Sequence, residues 1–265
     1  MAVTNAAREK FAVELARKAG ELGMQYFRDL DSLTIESKGH QDLVSEADRN
    51  VETFIRAALQ AEYPQDGIVG EEHAPTKGTS GFDWIIDPID GTANFVRGIP
   101  AWTVVIAGAM RGETEVAVIH EPCTGETFHG HRGGGAFLNG RPMRVSSLAS
   151  LGEGSVGTGF SNRREVRNIV PFIDMLVGEG GVFYRNASGA LMLAYVASGR
   201  LLAYVEEHMN AWDCVAGLLL VEEAGGRIVR PDPKTVIAEG TVVIAGCGGV
   251  FDKVEAMCAE AFRPR

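Results

Sequence analysis

Trp84-Ile85-Ile86-Asp87-Pro88-Ile89-Asp90-Gly91-Thr92 is the stretch on which the reading of this chain turns. An apolar, strand-like run ends in the carboxylate of Asp87, and Pro88 biases the residue before it towards extended backbone, which puts that carboxylate at a strand tip. Gly91 permits close approach of the backbone. A short helical turn starting near Thr92 would aim amide N–H groups at the same spot. Two acids sharing a small volume with an anion-binding nest of amides repel each other unless cations neutralise them. The pattern therefore argues for divalent metal held against a phosphate. Asp-Pro and Asp-Gly are also common turn dipeptides, so taken alone the same residues could decorate a turn.

Other carboxylates fit the same volume. Ile68-Val69-Gly70-Glu71-Glu72 is another short apolar run ending in acids, and a strand lying beside the first would bring Glu71 or Glu72 to the same metals. Asn210-Ala211-Trp212-Asp213 precedes a helical stripe of Val215, Leu218, Leu219 and Glu222, so Asp213 falls in a first helical turn. There it can point at a metal or only complement the helix dipole, an effect of about 0.3 to 1 kcal/mol. Ser45 and Asp48 have the spacing of a capping box. The helix they would start runs from Glu46 to about Ala61, with Val51, Phe54, Ile55, Ala58 and Leu59 on one stripe.

A long amphipathic helix is expected from about Asn5 to Arg28 on the spacing of Phe11, Leu15, Leu22 and Tyr26. The middle of the chain changes period. Short β-branched or alternating runs from Thr103, Glu115 and Thr127 read as neighbouring antiparallel strands, Gly133 to Gly135 as a tight turn and Asn139-Gly140 as a hairpin. Beyond about residue 155, strand candidates (Ser155 to Gly159, Val182 to Arg185, Leu201 to Glu206, Arg227 to Arg230, Val242 to Ala245) alternate with helix candidates. The helices are Arg163 to Leu176, Ala190 to Ala197, Ala211 to Glu223 and Val250 to Ala261. Such alternation implies a layered α/β architecture, with a composition break near residue 150 as the only candidate boundary.

At 265 residues the chain can bury a large core, as one domain or two intimately packed parts. Acidic residues outnumber basic ones 35 to 25, a formal charge of −10, and no Lys/Arg block is present. Nucleic-acid binding by bulk charge is thereby excluded, and a small anionic substrate needs metal cations or aimed amides to enter the field. Cys123, Cys214, Cys247 and Cys258 are too scattered for a zinc pair or a disulfide framework and read as buried free thiols. The polar start of the chain and the absence of an apolar run of about 18 residues point to a cytoplasmic protein without a membrane anchor.

Four segments in this order resemble the inositol monophosphatase family of Mg²⁺-dependent, lithium-sensitive phosphatases. They are Asp42-Leu-Val-Ser-Glu-Ala-Asp48, Gly70-Glu71-Glu72, Trp84 to Phe95, and Trp212-Asp213 followed by Glu222-Glu-Ala-Gly-Gly226. The likeness spans roughly Lys38 to Gly226. It implies an αβαβα sandwich of the inositol monophosphatase and fructose-1,6-bisphosphatase type. An N-terminal α+β part (1–150) would carry most metal ligands, and a C-terminal α/β part (151–265) would carry Asp213 and the substrate-selecting segment, the two forming one catalytic unit.

Carried over by position, the resemblance implies two to three Mg²⁺ ions. Glu71, Asp87 and the Ile89 carbonyl match the ligands of the first, Asp87, Asp90 and Asp213 those of the second, and a weaker third leans on Glu71. Gly91 and Thr92 match phosphate-binding amides, while Asp48 and Thr92 match the pair that orients the attacking water. Glu206 falls where inositol phosphatases accept hydrogen bonds from a sugar hydroxyl, and Lys38 where the family has a lysine near its entrance loop. Ala190 and Asp213 complete the implied substrate contacts. Ser188-Gly189-Ala190-Leu191 departs from the family's usual Gly-Ser or Gly-Thr followed by two alanines, which affects pocket shape and not the metal ligands. The implied reaction is hydrolysis of inositol monophosphate to inositol and phosphate. Histidinol phosphate or another sugar or nucleotide phosphate is the alternative, and a regulatory binding role with incidental phosphatase activity is the rival. The family also implies that two copies can pair as a homodimer.

Overall fold

A computed structural model of the chain describes residues 3–39, 42–161 and 164–263. The first part runs α1 (Asn5–Phe27), β1 (Ile35–Gly39), β2 (Asp42–Ser45), α2 (Glu46–Glu62), β3 (Gly67–Gly70), β4 (Phe82–Asp90) and α3 (Thr92–Phe95). It continues through β5 (Thr103–Met110), β6 (Glu113–Glu121), β7 (Glu126–His131), β8 (Gly135–Leu138) and β9 (Arg141–Pro142). The second part runs β10 (Ser155–Thr158), α4 (Ile169–Gly178), β11 (Val182–Tyr184), α5 (Gly189–Ala197), β12 (Ala203–Met209) and α6 (Ala211–Glu223). It ends with β13 (Arg227–Ile228), α7 (Val236–Glu239), β14 (Thr241–Gly246) and α8 (Phe251–Ala261). Strands β3 to β9 form a seven-stranded sheet in chain order, while the five-stranded sheet has the order β11-β10-β12-β14-β13.

Alternating side chains distribute these sheets among three apolar layers. Trp84, Ile86, Val104 and Ile106 pack against α1 and α2 through Ala12, Leu15, Ala16, Val51 and Ile55. Their neighbours Ile85, Val105 and Ala107 point the other way, into α5 and α6, and Tyr204 and Ala245 of the second sheet enter the same cluster. Val156, Val205 and Ile244 face outwards into α4 and α8 through Phe172, Leu176, Val254 and Met257. The order is thus helix, sheet, helix, sheet, helix, the layered sandwich expected. Strands β4 to β6 are covered on both faces, which is why they read as continuous apolar runs and not as alternating ones.

Two local features differ from expectation. The strand carrying Asp87 does not stop there: β4 continues through Pro88 and Ile89 to Asp90. Asp87 pairs with Val105 and Asp90 with Thr103, three steps on β4 against two on β5, so one extra residue is accommodated at Pro88–Ile89. Proline has no N–H for a ladder, and a bulge is where a strand tolerates it. The other difference concerns the helix expected from Arg163. Residues 162–163 lie outside those described, Val166–Asn168 form a 3₁₀ turn, and α4 begins only at Ile169. Pro171 explains the late start, since its ring clashes with the carbonyl four residues back and confines it to a first turn.

Asn139 and Gly140 both have positive φ, 49° and 79°, as a two-residue hairpin between β8 and β9 requires. The four cysteines are free, three of them buried. Among the described residues no helix is long and apolar enough to cross a membrane.

Helices α5 and α6 approach closely at Gly217, where an added Cβ would fall 2.4 Å from the Leu193 Cβ. Gly217→Ala is expected to destabilise the fold by about 1–3 kcal/mol through overpacking, lowering Tm by roughly 2–4 °C for each kcal/mol. Thermal and urea unfolding measure this, and an unchanged midpoint in both would contradict the close packing of these two helices.

Candidate active site

The β4 bulge decides the geometry of the first two acids. In a regular strand, residues three apart face opposite sides. The extra residue brings Asp87 and Asp90 round to a common side, where Asp213 joins them: carboxylate oxygens of the three lie within 4.8 Å of one another. Strand β3 runs parallel to β4 with Gly70 opposite Ile86, so Glu71 leaves the sheet beside Asp87. Asp213 arrives from the other side of the cleft as the third residue of α6.

Each acid is held by backbone or hydroxyl donors. The Ile89 amide donates to Asp87 Oδ1 at 2.9 Å, closing the bulge on itself. Asp90 accepts from the amides of Gly189 (3.2 Å) and Ala190 (3.0 Å), from Thr103 Oγ1 (3.2 Å) and from Ser188 Oγ, so it caps the start of α5 from a distant strand. Asp213 Oδ2 accepts from the amide and the side chain of Asn210, both at 3.2 Å, the capping box of its own helix. Asp48 is fully buried and accepts from Ser45 N (2.8 Å) and Ser45 Oγ (2.6 Å). Thr92 Oγ1 stands 3.1 Å from both Asp48 Oδ1 and the Ile89 carbonyl, and its single proton can serve only one of them at a time. Gly91 adopts φ 96°, which lets the chain turn from β4 into α3 and leaves the first amides of that turn without an intrahelical acceptor.

The electrostatics follow from this crowding. Burial pushes the Asp87 carboxyl well above the ordinary range, and the charges of Glu71, Asp90 and Asp213 push it further. Asp213 is raised to about 8 by burial, then by Asp90 and Glu206. Asp90 is raised by burial against the lowering effect of Ser188 and the Ala190 and Gly189 amides. Among the described residues no lysine or arginine pairs with Asp87, Asp90 or Asp213. A set of hard oxygen donors, mutually repelling and with no basic side chain to neutralise it, fits a divalent cation. Asp87, Asp90 and Asp213 are the residues that could hold one, with Glu71 and the Ile89 carbonyl beside them.

Glu71, Asp87, Asp90 and Asp213 line a cavity of about 190 Å³ together with Ile89, Gly91, Thr92 and Glu206, and Asp48, outside that lining, meets it through Thr92. Lys38 is not assigned a place because its side chain lies outside the described residues. Ala190 does not line the cavity, since it is buried and its amide is engaged by Asp90. Gly159 and Arg185 line the cavity as well, with no role assigned from the sequence, and Tyr204 opens the substrate-selecting segment that contains Glu206. Tyr204 donates its hydroxyl to Glu206, Gly159 leaves the room a Cβ would take (2.0 Å from Glu206 Oε2), and Arg185 brings a cation near that carboxylate. Glu206 is raised to about 7 by burial, against the lowering effect of Tyr204 and Arg185. No local pattern marks Gly159 or Arg185, because each matters only through a carboxylate on another part of the chain, whereas Tyr204 shares the strand of Glu206.

A metal-assisted phosphate-ester hydrolase is the class of protein that this fold and acid cluster define. Residues 5–261 match the model of the inositol monophosphatase family. The Nus factor SuhB of Pseudomonas aeruginosa is 42% identical over 82% of this chain and 83% of its own. The inositol-1-monophosphatase of Rhizobium meliloti is 40% identical over 81% and 82%. The histidinol-phosphatase of Chlorobaculum parvum is also 40% identical, over 82% and 83%. The solved structure of an IMPase from Thermotoga maritima superposes with a TM-score of 0.84 at 35% identity, covering 96% of this chain and 97% of that one. The chain belongs to the inositol monophosphatase family and is a phosphoric monoester hydrolase.

The raised carboxyls set a sign for stability against pH. Asp213 at about 8 and Glu206 at about 7 bind protons more tightly folded than unfolded, where carboxyls titrate near 4. Their contribution is therefore largest in acid and is lost as pH rises through those values. In chelator, Tm is expected to fall between about pH 5 and about pH 8, and added divalent cation should raise Tm more at the alkaline end, where fewer protons compete. A chelated protein whose Tm climbs over that interval would contradict the clustered assignment.

Proposed function

We propose that the protein hydrolyses inositol monophosphate to inositol and phosphate with Mg²⁺ as its cation. The observation that carries this reading is the cluster of buried Asp87 and Asp90 with half-buried Asp213, opening into the same cavity as Glu206. Bound Mg²⁺ supplies Lewis acidity at phosphorus and lowers the pKa of the attacking water. Glu71, Asp87, the Ile89 carbonyl, Asp90 and Asp213 hold two to three ions in this reading. The amides of Gly91 and Thr92 receive phosphate oxygens. Thr92 Oγ1 and Asp48, linked at 3.1 Å, orient the attacking water and take up its proton. Glu206, fixed by Tyr204, accepts hydroxyl hydrogen bonds from the polyol. Asp213 faces both metal and leaving group. Residues 1–150 and 151–265 act as one catalytic unit because the acids come from both.

Phosphate release across a panel of small monoesters tests the substrate. Inositol monophosphate is expected to have the highest specificity constant, and a histidinol phosphate value greater by about tenfold would move the assignment to the alternative, for which Glu206 would pair with an ammonium. Asp90→Asn is expected to lose about a hundredfold or more in kcat/KM, because it removes a charge from the metal cluster and also disturbs the cap of α5. One relative's name as a Nus factor favours a regulatory role as the second reading. An Asp90→Asn strain that grows like wild type while its purified enzyme is inactive would favour that role.

Millimolar lithium is expected to inhibit, since a small monovalent cation can enter the Asp90–Asp213 side of the cluster. Full turnover at saturating lithium would count against that placement. We also read the protein as a homodimer, supported by the exposed apolar side chains Val170 and Val177 of α4 and Val182 and Phe183 of the edge strand β11.

A further inference from the structure

Glu52 is a fully buried carboxylate on α2, one helical turn beyond Asp48, and nothing in the proposed chemistry uses it. Its surroundings are specific. Oε2 accepts the Glu72 amide at 2.7 Å, and Oε1 accepts the His73 amide at 3.1 Å and Arg56 Nε at 2.7 Å. Arg56 in turn donates from Nη2 to the His73 carbonyl at 3.1 Å and from Nη1 to Thr76 Oγ1 at 3.3 Å. Thr76 is itself joined to Ile68 by a pair of backbone hydrogen bonds of 2.9 and 2.8 Å, which closes the loop between them. Gly70 is bare for the same reason: a Cβ there would lie 2.3 Å from Glu52 Oε1.

Glu71 therefore sits between two anchors. On one side Gly70 is held in the sheet beside Ile86, and on the other the next two amides are held by the Glu52 carboxylate. Asp48, four residues earlier on the same helix, meets Thr92. Helix α2 thus spaces two arms of the site, about 6 Å apart along its axis at 1.5 Å per residue. A buried carboxylate is costly unless its charge is paired and hydrogen-bonded, and here every donor it meets belongs to Arg56 or to the turn that follows Glu71.

We propose that Glu52 is a positioning residue for the metal site: it fixes the Glu71 turn against Asp87 and so sets cation affinity without touching cation or substrate. The inference rests on the reading of Glu71 as a metal ligand. Glutamine at position 52 keeps the shape but offers one acceptor oxygen and an NH₂ group, so one of the two amides would face a donor.

Calorimetric titration of the substrate-free protein with Mn²⁺, on wild type, Glu52→Gln, Gly70→Ala and Glu71→Gln, tests it. Glu52→Gln is expected to weaken Mn²⁺ binding by about 10- to 100-fold, as loss of a ligand-orienting partner does. The Mg²⁺ concentration for half-activation should rise in parallel, while kcat at saturating Mg²⁺ stays within about threefold of wild type, because the ligands themselves remain. Gly70→Ala, which displaces the Glu52 carboxylate with all charges retained, is expected to weaken Mn²⁺ binding in the same direction. It decides the matter if Glu52→Gln fails to fold. A Glu52→Gln protein that melts lower yet binds Mn²⁺ like wild type would mean a purely structural role and overturn the inference. So would wild-type affinity in Gly70→Ala. Wild-type affinity in Glu71→Gln as well would overturn the ligand reading of Glu71, a different failure from wild-type affinity in Glu52→Gln alone.

Discussion

Mutual repulsion among Asp87, Asp90, Asp213 and Glu71 is the constraint around which this structure is arranged. These four line one small cavity with Glu206, three of them have oxygens within 4.8 Å of one another, and burial raises the cost of ionising Asp87, Asp90 and Asp213. A chain folded on apolar burial alone would not gather them. The fold holds them together by attaching each to an element anchored elsewhere: Asp87 and Asp90 to a central strand, Glu71 to its parallel neighbour, Asp213 to a helix that packs on both sheets.

What meets the acids from the protein side is mostly backbone. Asp90 takes the first amides of α5, Asp213 caps α6, and Asp87 takes the amide of its own bulge. Amide dipoles hold carboxylates in place without the full positive charge of a lysine or arginine, which would compete with a cation for the same oxygens. The layered core supports this economy. Helices α5 and α6 lie between the two sheets, so their N-termini open at one end of the layers, and the close approach at Gly217 keeps those two ends at a fixed separation. The Glu52–Arg56 pair repeats the pattern one shell out, with a carboxylate holding backbone amides and an arginine placed away from the cavity.

Much of this was legible in the residues. The capping box at Ser45–Asp48 and the first-turn place of Asp213 are local, and the helices they belong to lie where the stripes of Val51, Ile55 and Leu59 or Val215, Leu218 and Leu219 put them. Strand β3 lies beside β4, as two apolar runs ending in acids suggest. The start of α4 at Ile169 and not at Arg163 follows from Pro171, which is confined to the first turn of a helix. The end of β4 at Asp90 is not legible locally, because Asp-Pro reads as a terminus when no partner strand is in view. In the sheet it becomes a bulge.

The sequence by itself determined which residues could bear charge in the site, which elements carry them and which faces those elements bury, because caps, periodicity and proline restrictions act over a few residues. Only the tertiary structure decided that Asp87 and Asp90 share a side, that the Ala190 amide turns to Asp90 and away from the cavity, and that Tyr204, Gly159 and Arg185 converge on Glu206. It likewise decided that Glu52 reaches the turn after Glu71. Apart from Asp87 with Asp90 and Tyr204 with Glu206, these are meetings between segments tens of residues apart. They are set by strand register and by the stacking of sheets and helices, and no short stretch of sequence encodes that stacking.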